Sequence, residues 1–180
     1  MQYNPLHNLH VKTLLDNIYY RCKFSHSNLF LPRMITIDYS NAILKTKQDK
    51  GSTYVFDVIR KKWVLLTPEE HVRQCFLYYL IHTLQYPPSL IAVEKKIQLG
   101  KSPKRFDMVI YSPSLHPWML IECKEPKVQL TQETLFQLLN YQRVLQSRYW
   151  VITNGHETYC ADAHEAHAIT WMKHLPAYDG

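Results

Sequence analysis

A chain of 180 residues with 46% hydrophobic content holds enough apolar material for one globular domain with a sizeable core. Its formal net charge of +6 favours a polyanionic partner, although an excess of this size also occurs in proteins that have none. No apolar run reaches the roughly 18 residues a membrane span needs, and the first residues lack a signal-peptide core. Cys22, Cys75, Cys123 and Cys160 form no C-x-x-C pair. The chain therefore reads as cytoplasmic, with reduced thiols and no membrane partner.

Residues 1–33 are polar and aromatic without clean periodicity, although Val11–Tyr20 has the composition of a short helix. The recognisable pattern begins at Met34, itself a candidate start. Residues 1–33 thus read as a loosely attached N-terminal extension or as sequence upstream of the native start; a packed N-terminal helix is the alternative. Residues 34–66 form a β-rich lead-in. M-I-T-I-D-Y, I-L-K-T-K and T-Y-V-F-D-V-I are strand-like runs separated by S-N-A and Q-D-K-G-S. Lys45, Lys47, Lys50, Arg60, Lys61 and Lys62 make it basic, either as a solvated sheet face or as a phosphate-contacting surface.

The core of the pattern spans 67–172. Thr67 caps a helix, Pro68 takes its first position, and Glu70 completes a T-x-x-E capping box. Val72, Cys75, Phe76, Tyr79, Leu80 and Leu84 supply the apolar stripe. Glu69 lies three residues before Val72 and so near that stripe. Arg73, one turn on, can pair with either glutamate. After Y-P-P-S, Leu90–Leu99 reads as a strand with Ile91, Val93, Ile97 and Leu99 on one face and Glu94, Lys96 and Gln98 on the other. Gly100–Lys104 is a tight basic turn. Lys101, Lys104 and Arg105 could meet phosphates there, or belong to an ordinary hairpin loop.

Arg105–Lys124 reads as two apolar strands joined by a turn rich in proline and serine. Alternation puts Glu122 and Lys124 on one face, roughly 7 Å apart, with Ile121 and Cys123 on the other. If the Arg105–Tyr111 strand pairs with it, Asp107 reaches the same face, because neighbouring strands lie only about 5 Å apart. Two carboxylates and an ammonium are costly in an apolar sheet unless they pair or hold a metal. An Asp, a Glu and a Lys converging there suit a divalent cation with a positioned water. Beyond Lys124, Thr131 caps a helix to about Gln146, with Gln137 and Tyr141 stacked on one face. Tyr149–Asn154 is a further strand, turned by Asn154-Gly155 into Glu157–Ala161, and residues 173–180 form a C-terminal tail.

Asp107 followed after fourteen residues by Glu122-Cys123-Lys124 resembles the D…(D/E)-x-K signature of the PD-(D/E)XK nuclease superfamily. With T-P-E-E-H-V-R-Q, V-E-K-K-I, I-E-C-K-E-P-K, Q-L-L-N-Y and V-I-T-N-G-H-E-T-Y-C around it, the chain resembles the N-terminal nuclease domain of type I restriction enzyme R subunits, in a short stand-alone form. The likeness covers roughly residues 34 to 172. It implies an α/β, restriction-endonuclease-like mixed central sheet flanked by helices. It also implies a metal-dependent DNA endonuclease, in which Asp107, Glu122 and the Cys123 carbonyl bind Mg2+ (Mn2+ as a substitute). Lys124 would orient the attacking water and a 5′-phosphate would be left. Glu94 matches an acidic position of the family and would be a further metal or second-layer ligand, or else a surface partner of Lys96. Glu69 or Glu70 would be an auxiliary acid, and Gln137 and Tyr141 would lean over the site. Implied partners are DNA, duplex by kinship, and a helicase/translocase or other restriction subunits.

Two departures stand out: Phe106 replaces the proline of the superfamily's name, and Glu125 follows the lysine where these domains commonly carry a small residue. The competing classes are a non-catalytic nucleic-acid-binding module, a subunit silent without its partner, and an interaction domain without nucleic acid. His156, Cys160, His164 and His167 can be drawn as a zinc site, but H-x3-C-x3-H-x2-H fits no standard spacing. No G-x-x-x-x-G-K-[ST] or G-x-S-x-G element occurs in the sequence.

Overall fold

The structure, a computed structural model, describes residues 34–94, 96–99, 102–131, 134, 147–165 and 168–179. The extension 1–33, Lys101, and the expected helix from Thr131 to Gln146 (Thr131 and Thr134 apart), with Gln137 and Tyr141 on it, lie outside these residues.

The described chain is mixed α/β. Strands β1 (Thr46–Asp49), β2 (Ser52–Asp57) and β3 (Lys62–Leu65) form an antiparallel meander. Lys50 and Gly51, at φ 47° and 78°, turn β1 into β2, as the D-K-G-S run requires. Alternation along β2 sends Val55 and Asp57 inward, both at 0% exposure, and leaves Tyr54 and Phe56 on the opposite face.

Helix α1 (Pro68–Tyr78) begins where its Thr-Pro punctuation places it, with Thr67 Oγ1 accepting from the Glu70 amide at 3.1 Å. Only half of the expected capping box forms, because the Glu70 carboxylate is drawn to arginines instead of turning back to the cap amide. The helix widens after Tyr78 into a π-helical turn, Tyr79–Thr83, and α1 packs against the strand Pro117–Cys123. Val72, Phe76, Leu77 and Leu80 enter the main core. Among the described residues no helix is long and apolar enough to cross a membrane.

The central sheet has six strands in the order β11-β10-β9-β8-β7-β4: β4 (Ile91–Val93), β7 (Met108–Tyr111), β8 (Pro117–Cys123), β9 (Tyr149–Thr153), β10 (Thr158–Glu165) and β11 (Ala168–Trp171). Among the described residues, neighbouring strands run antiparallel except β8 and β9, which run parallel. Their near-continuous apolar runs are what central strands covered on both faces require, and β8 is buried from Trp118 to Cys123. The lead-in joins the same core: Ile35 bridges Thr158 on β10, and Ile35 and Ile37 are buried there.

Several expected boundaries shift. The single strand Leu90–Leu99 is broken at Glu94, whose φ of 49° is incompatible with extended chain. β4 therefore pairs with β7, whereas β5 (Lys96–Leu99) turns away to pair with β6 (Ser102–Arg105) as a separate ribbon. The strand expected over Arg105–Tyr111 divides at Phe106–Asp107, its first part pairing with β5 and its second with β8. M-I-T-I-D-Y contributes a bridge at Ile35 in place of a full strand, and β10 runs past Ala161 because β11 pairs with its far half.

Candidate active site

Asp107 and Glu122 meet at one end of the β7–β8 pair. The register sets Met108 opposite Ile121, so the next pair outward is Asp107 and Glu122. Asp107 lies in the break before β7, 8% exposed, and its carboxylate is held twice: Oδ2 accepts from the Cys123 amide at 2.8 Å, and Oδ1 from Arg73 Nη2 at 2.8 Å. Glu122 is 3% exposed, and its Oε1 accepts from Lys124 Nζ at 2.7 Å, which puts both side chains on one face. Burial, then the charge of Asp107, pushes the Glu122 carboxyl up to about 7, against the pull of Lys124. Burial works to lower the Lys124 ammonium. Its hydrogen bond to Glu122 and the charges of Glu122, Asp107 and Glu69 outweigh that and hold it above its ordinary value.

Helix α1 and the β2–β3 turn supply a network of opposite charges around Asp107. Arg73, 2% exposed, bonds Glu70, reaches Glu69 at 3.3 Å and lies 3.4 Å from Glu94. Arg60 bonds Asp57 at 2.6 Å, Glu70 at 2.8 Å, and Glu94. Gln74 Nε2 donates to Asp57 Oδ2 at 2.9 Å and to Glu70 Oε1 at 2.8 Å. The two glutamates of α1 thus separate in role. Glu70 is enclosed between Arg60, Arg73 and Gln74, whereas the Glu69 side chain, 42% exposed, faces the Asp107 side. Burial and the charge of Asp107 raise the Glu69 carboxyl above its ordinary value.

Glu94 does not form the surface pair with Lys96 weighed above. Its left-handed backbone turns the carboxylate to Arg60, Arg73 and Arg105, the last at 3.3 Å, and its amide donates to the Asp107 carbonyl at 2.9 Å. Arg105, 58% exposed at its side chain, is engaged there. Lys104 lies on β6. Arg60, read from the sequence as part of a solvated or phosphate-contacting face, is drawn inward to three carboxylates, and Asp57 and Gln74 carry no signal in the sequence as site residues. Asp57 reads as one more polar position in a strand, and only its zero exposure shows that it needs partners. Cys160 is buried with its Sγ 3.7 Å from Met172 Sδ, and burial pushes its thiol up to about 12. Its sulfur thus faces the core and not His156, which is exposed on the β9–β10 turn.

The cluster is rich in carboxylate oxygens. Six carboxylates (Asp57, Glu69, Glu70, Glu94, Asp107, Glu122) face four cations (Arg60, Arg73, Arg105, Lys124), a formal excess of two negative charges. Among the described residues no three His, Cys, Asp or Glu side chains form a metal-holding group. The oxygens that could hold a divalent cation there are those of Asp107 and Glu122, with the Cys123 carbonyl next to Glu122 in the chain.

A mixed sheet with an Asp, a Glu and a Lys at one end, braced by a helix-borne arginine, defines an α/β domain with an acidic, ion-paired cluster. Residues 68–176 match the family described as Type I restriction enzyme R protein N terminus (HSDR_N), and the chain belongs to that family. A solved fragment described as the HsdR subunit of a type I restriction enzyme from Vibrio vulnificus YJ016 is similar at a TM-score of 0.48 and 16% identity. That match covers 63% of this chain and 24% of the solved one, so it spans about a quarter of that solved fragment. No curated protein is significantly similar.

Proposed function

We propose that this domain is a divalent-metal-dependent deoxyribonuclease of the PD-(D/E)XK type, acting on duplex DNA. The observation that carries the reading is the meeting of Asp107, Glu122 and Lys124 at the end of β8, with the Glu122 carboxyl pushed up to about 7. Asp107, Glu122 and the Cys123 carbonyl would hold Mg2+, with Mn2+ as a substitute. When bound, such an ion supplies Lewis acidity toward a phosphoryl oxygen and makes a water acidic enough to attack.

The chain's own groups divide the remaining work. Lys124, held protonated, is a poor base. It fixes Glu122 and presents a positive charge where a phosphate becomes more negative. Arg73 and the Cys123 amide fix the orientation of Asp107. Glu69, partly exposed beside Asp107, is the auxiliary acid, and Glu70 anchors Arg60 and Arg73. A helicase or translocase, or another restriction subunit, is the partner that would bring DNA to the site.

The test is plasmid incubation with Mg2+ or Mn2+, with and without EDTA. Wild type is expected to cut. Lys124→Ala is expected to lose roughly 10²–10³ in rate, the scale of removing one stabilising donor, while retaining DNA binding. One observation favours the second reading, a binding module or partner-dependent subunit: both Asp107 oxygens are already engaged, by Arg73 and by an amide. Equal DNA binding without cutting by both proteins would establish that reading instead.

A further inference from the structure

The β1–β3 meander carries a feature that the acidic cluster does not use. Its outward face is built of aromatic rings and lysines. The registers Lys47↔Tyr54 and Phe56↔Trp63 put Lys47, Tyr54, Phe56 and Trp63 on that face, while Val55 and Asp57 point inward. Lys45 Nζ lies 5.4 Å from the Phe56 ring centre and 5.7 Å from that of Trp63. Lys47 Nζ lies 4.9 Å from Trp63 and 5.8 Å from Tyr54. Both lysines are exposed, the three rings are half-buried, and Leu65 is 51% exposed beside them. Of the three strands, Asp49 is the one carboxylate on this face, and it sits at the turn next to Lys50.

We propose that this face binds single-stranded DNA, with bases stacking on Tyr54, Phe56 and Trp63 and phosphates on Lys45 and Lys47. Half-buried rings that, among the described residues, are met on this face by exposed lysines are ready platforms for unstacked bases. Every base has a face to offer, whereas bases within a duplex do not. An exposed ammonium over a ring is a weak contact compared with a base on the same ring. The exchange is therefore favourable: each lysine moves from ring to phosphate, and the ring passes from lysine to base. Lysine reach supplies the charge complementarity with a polyanion. The strand that carries Tyr54 and Phe56 ends at Asp57, inside the ion-pair network. The choice of DNA over RNA rests on the nuclease reading above; the stacking surface itself does not.

The test keeps the two apart by working in EDTA with a fluorescein-labelled oligodeoxythymidylate of about 15 nucleotides, followed by anisotropy. Wild type is expected to bind, and Lys45→Glu/Lys47→Glu to weaken binding at least about tenfold and to flatten the log–log salt slope by about 1.4. Trp63→Leu is expected to weaken binding and reduce the quenching of tryptophan fluorescence, and Trp63→Phe to keep most of the affinity. Circular dichroism establishes that each variant is folded. No binding by wild type, or unchanged binding by a folded Lys45→Glu/Lys47→Glu protein, would overturn the inference. So would a preference for a duplex of the same length, and tighter binding of oligouridylate would overturn the assignment to DNA. Plasmid cutting without oligonucleotide binding removes the platform alone; oligonucleotide binding without plasmid cutting removes the nuclease alone.

Discussion

Glu122 is almost enclosed, and its carboxyl is pushed up to about 7, chiefly by burial and then by Asp107. A carboxyl whose folded value exceeds its unfolded one of about 4.3 holds its proton longer in the folded chain. The stability this confers is full below the unfolded value and is lost as pH rises through about 7. The metal-free protein is therefore expected to melt at lower temperature near pH 8 than near pH 5, and Glu122→Gln to flatten that slope. Added Mg2+ is expected to raise the melting temperature more near pH 8 than near pH 6, since the ion requires the ionised carboxylate. A Glu122→Gln protein with the wild-type pH slope would show that Glu122 is not the group concerned. Arg73 is the counterweight, buried between Asp107 and Glu70. Burial opposes its charge, but Asp107 and Glu70 outweigh that and raise its guanidinium above the ordinary value. Arg73→Met takes from the buried Asp107 its arginine partner and from Glu70 one of two, and is expected to cost roughly 3–5 kcal/mol in urea unfolding. Alternation in E-C-K suffices to place Glu122 beside Lys124. Nothing local could show that Arg60, distant in sequence from Glu94 and Asp107, would share their network, because ion pairing across elements leaves no periodicity to read.

At the level of elements, legibility follows from how local the determinant is. Thr67 and Pro68 fix the start of α1 through atoms within one turn, so the sequence suffices. The end of β4 is different. Glu94 is an ordinary strand-compatible residue in an alternating run, yet it adopts φ 49° because three arginines and the Asp107 carbonyl hold it there. The Asn154-Gly155 turn lies between these cases. Its dipeptide announces a turn, and Gly155 at φ 88° needs the freedom that only glycine has. What it packs against is not readable. A Cβ there would meet Val72 Cγ2 at 3.1 Å, so the turn also sets how closely β9–β10 approach α1. Gly155→Ala is expected to destabilise by about 1–2 kcal/mol from the backbone alone, with more from displacement of Val72. A thermal midpoint equal to wild type would show that the helix and turn do not press together.

For the whole molecule, the family match begins at residue 68, whereas the physical unit begins earlier. Ile35, Ile37 and Val55 are buried at 7%, 9% and 0% exposure, and Asp57 and Arg60 complete the charges around Glu70 and Glu94. Burial of each apolar side chain is worth roughly 1.5–3 kcal/mol, against a total stability of typically 5–15 kcal/mol. Removing Arg60 also strips Glu70 and Glu94 of a cation in a place where water cannot fully replace it. A chain beginning at Pro68 is therefore expected to lose cooperative unfolding, whereas one beginning at Met34 keeps every contact described here. Calorimetry of the two distinguishes a lead-in that belongs to the domain from one that merely precedes it. A sharp transition of unchanged midpoint in the chain from Pro68 would show that the cluster stands without Arg60. Arg60→Ala in the longer chain separates the two contributions: a small loss there with failure of the shorter chain assigns the dependence to the apolar contacts, and a large loss assigns it to the charges.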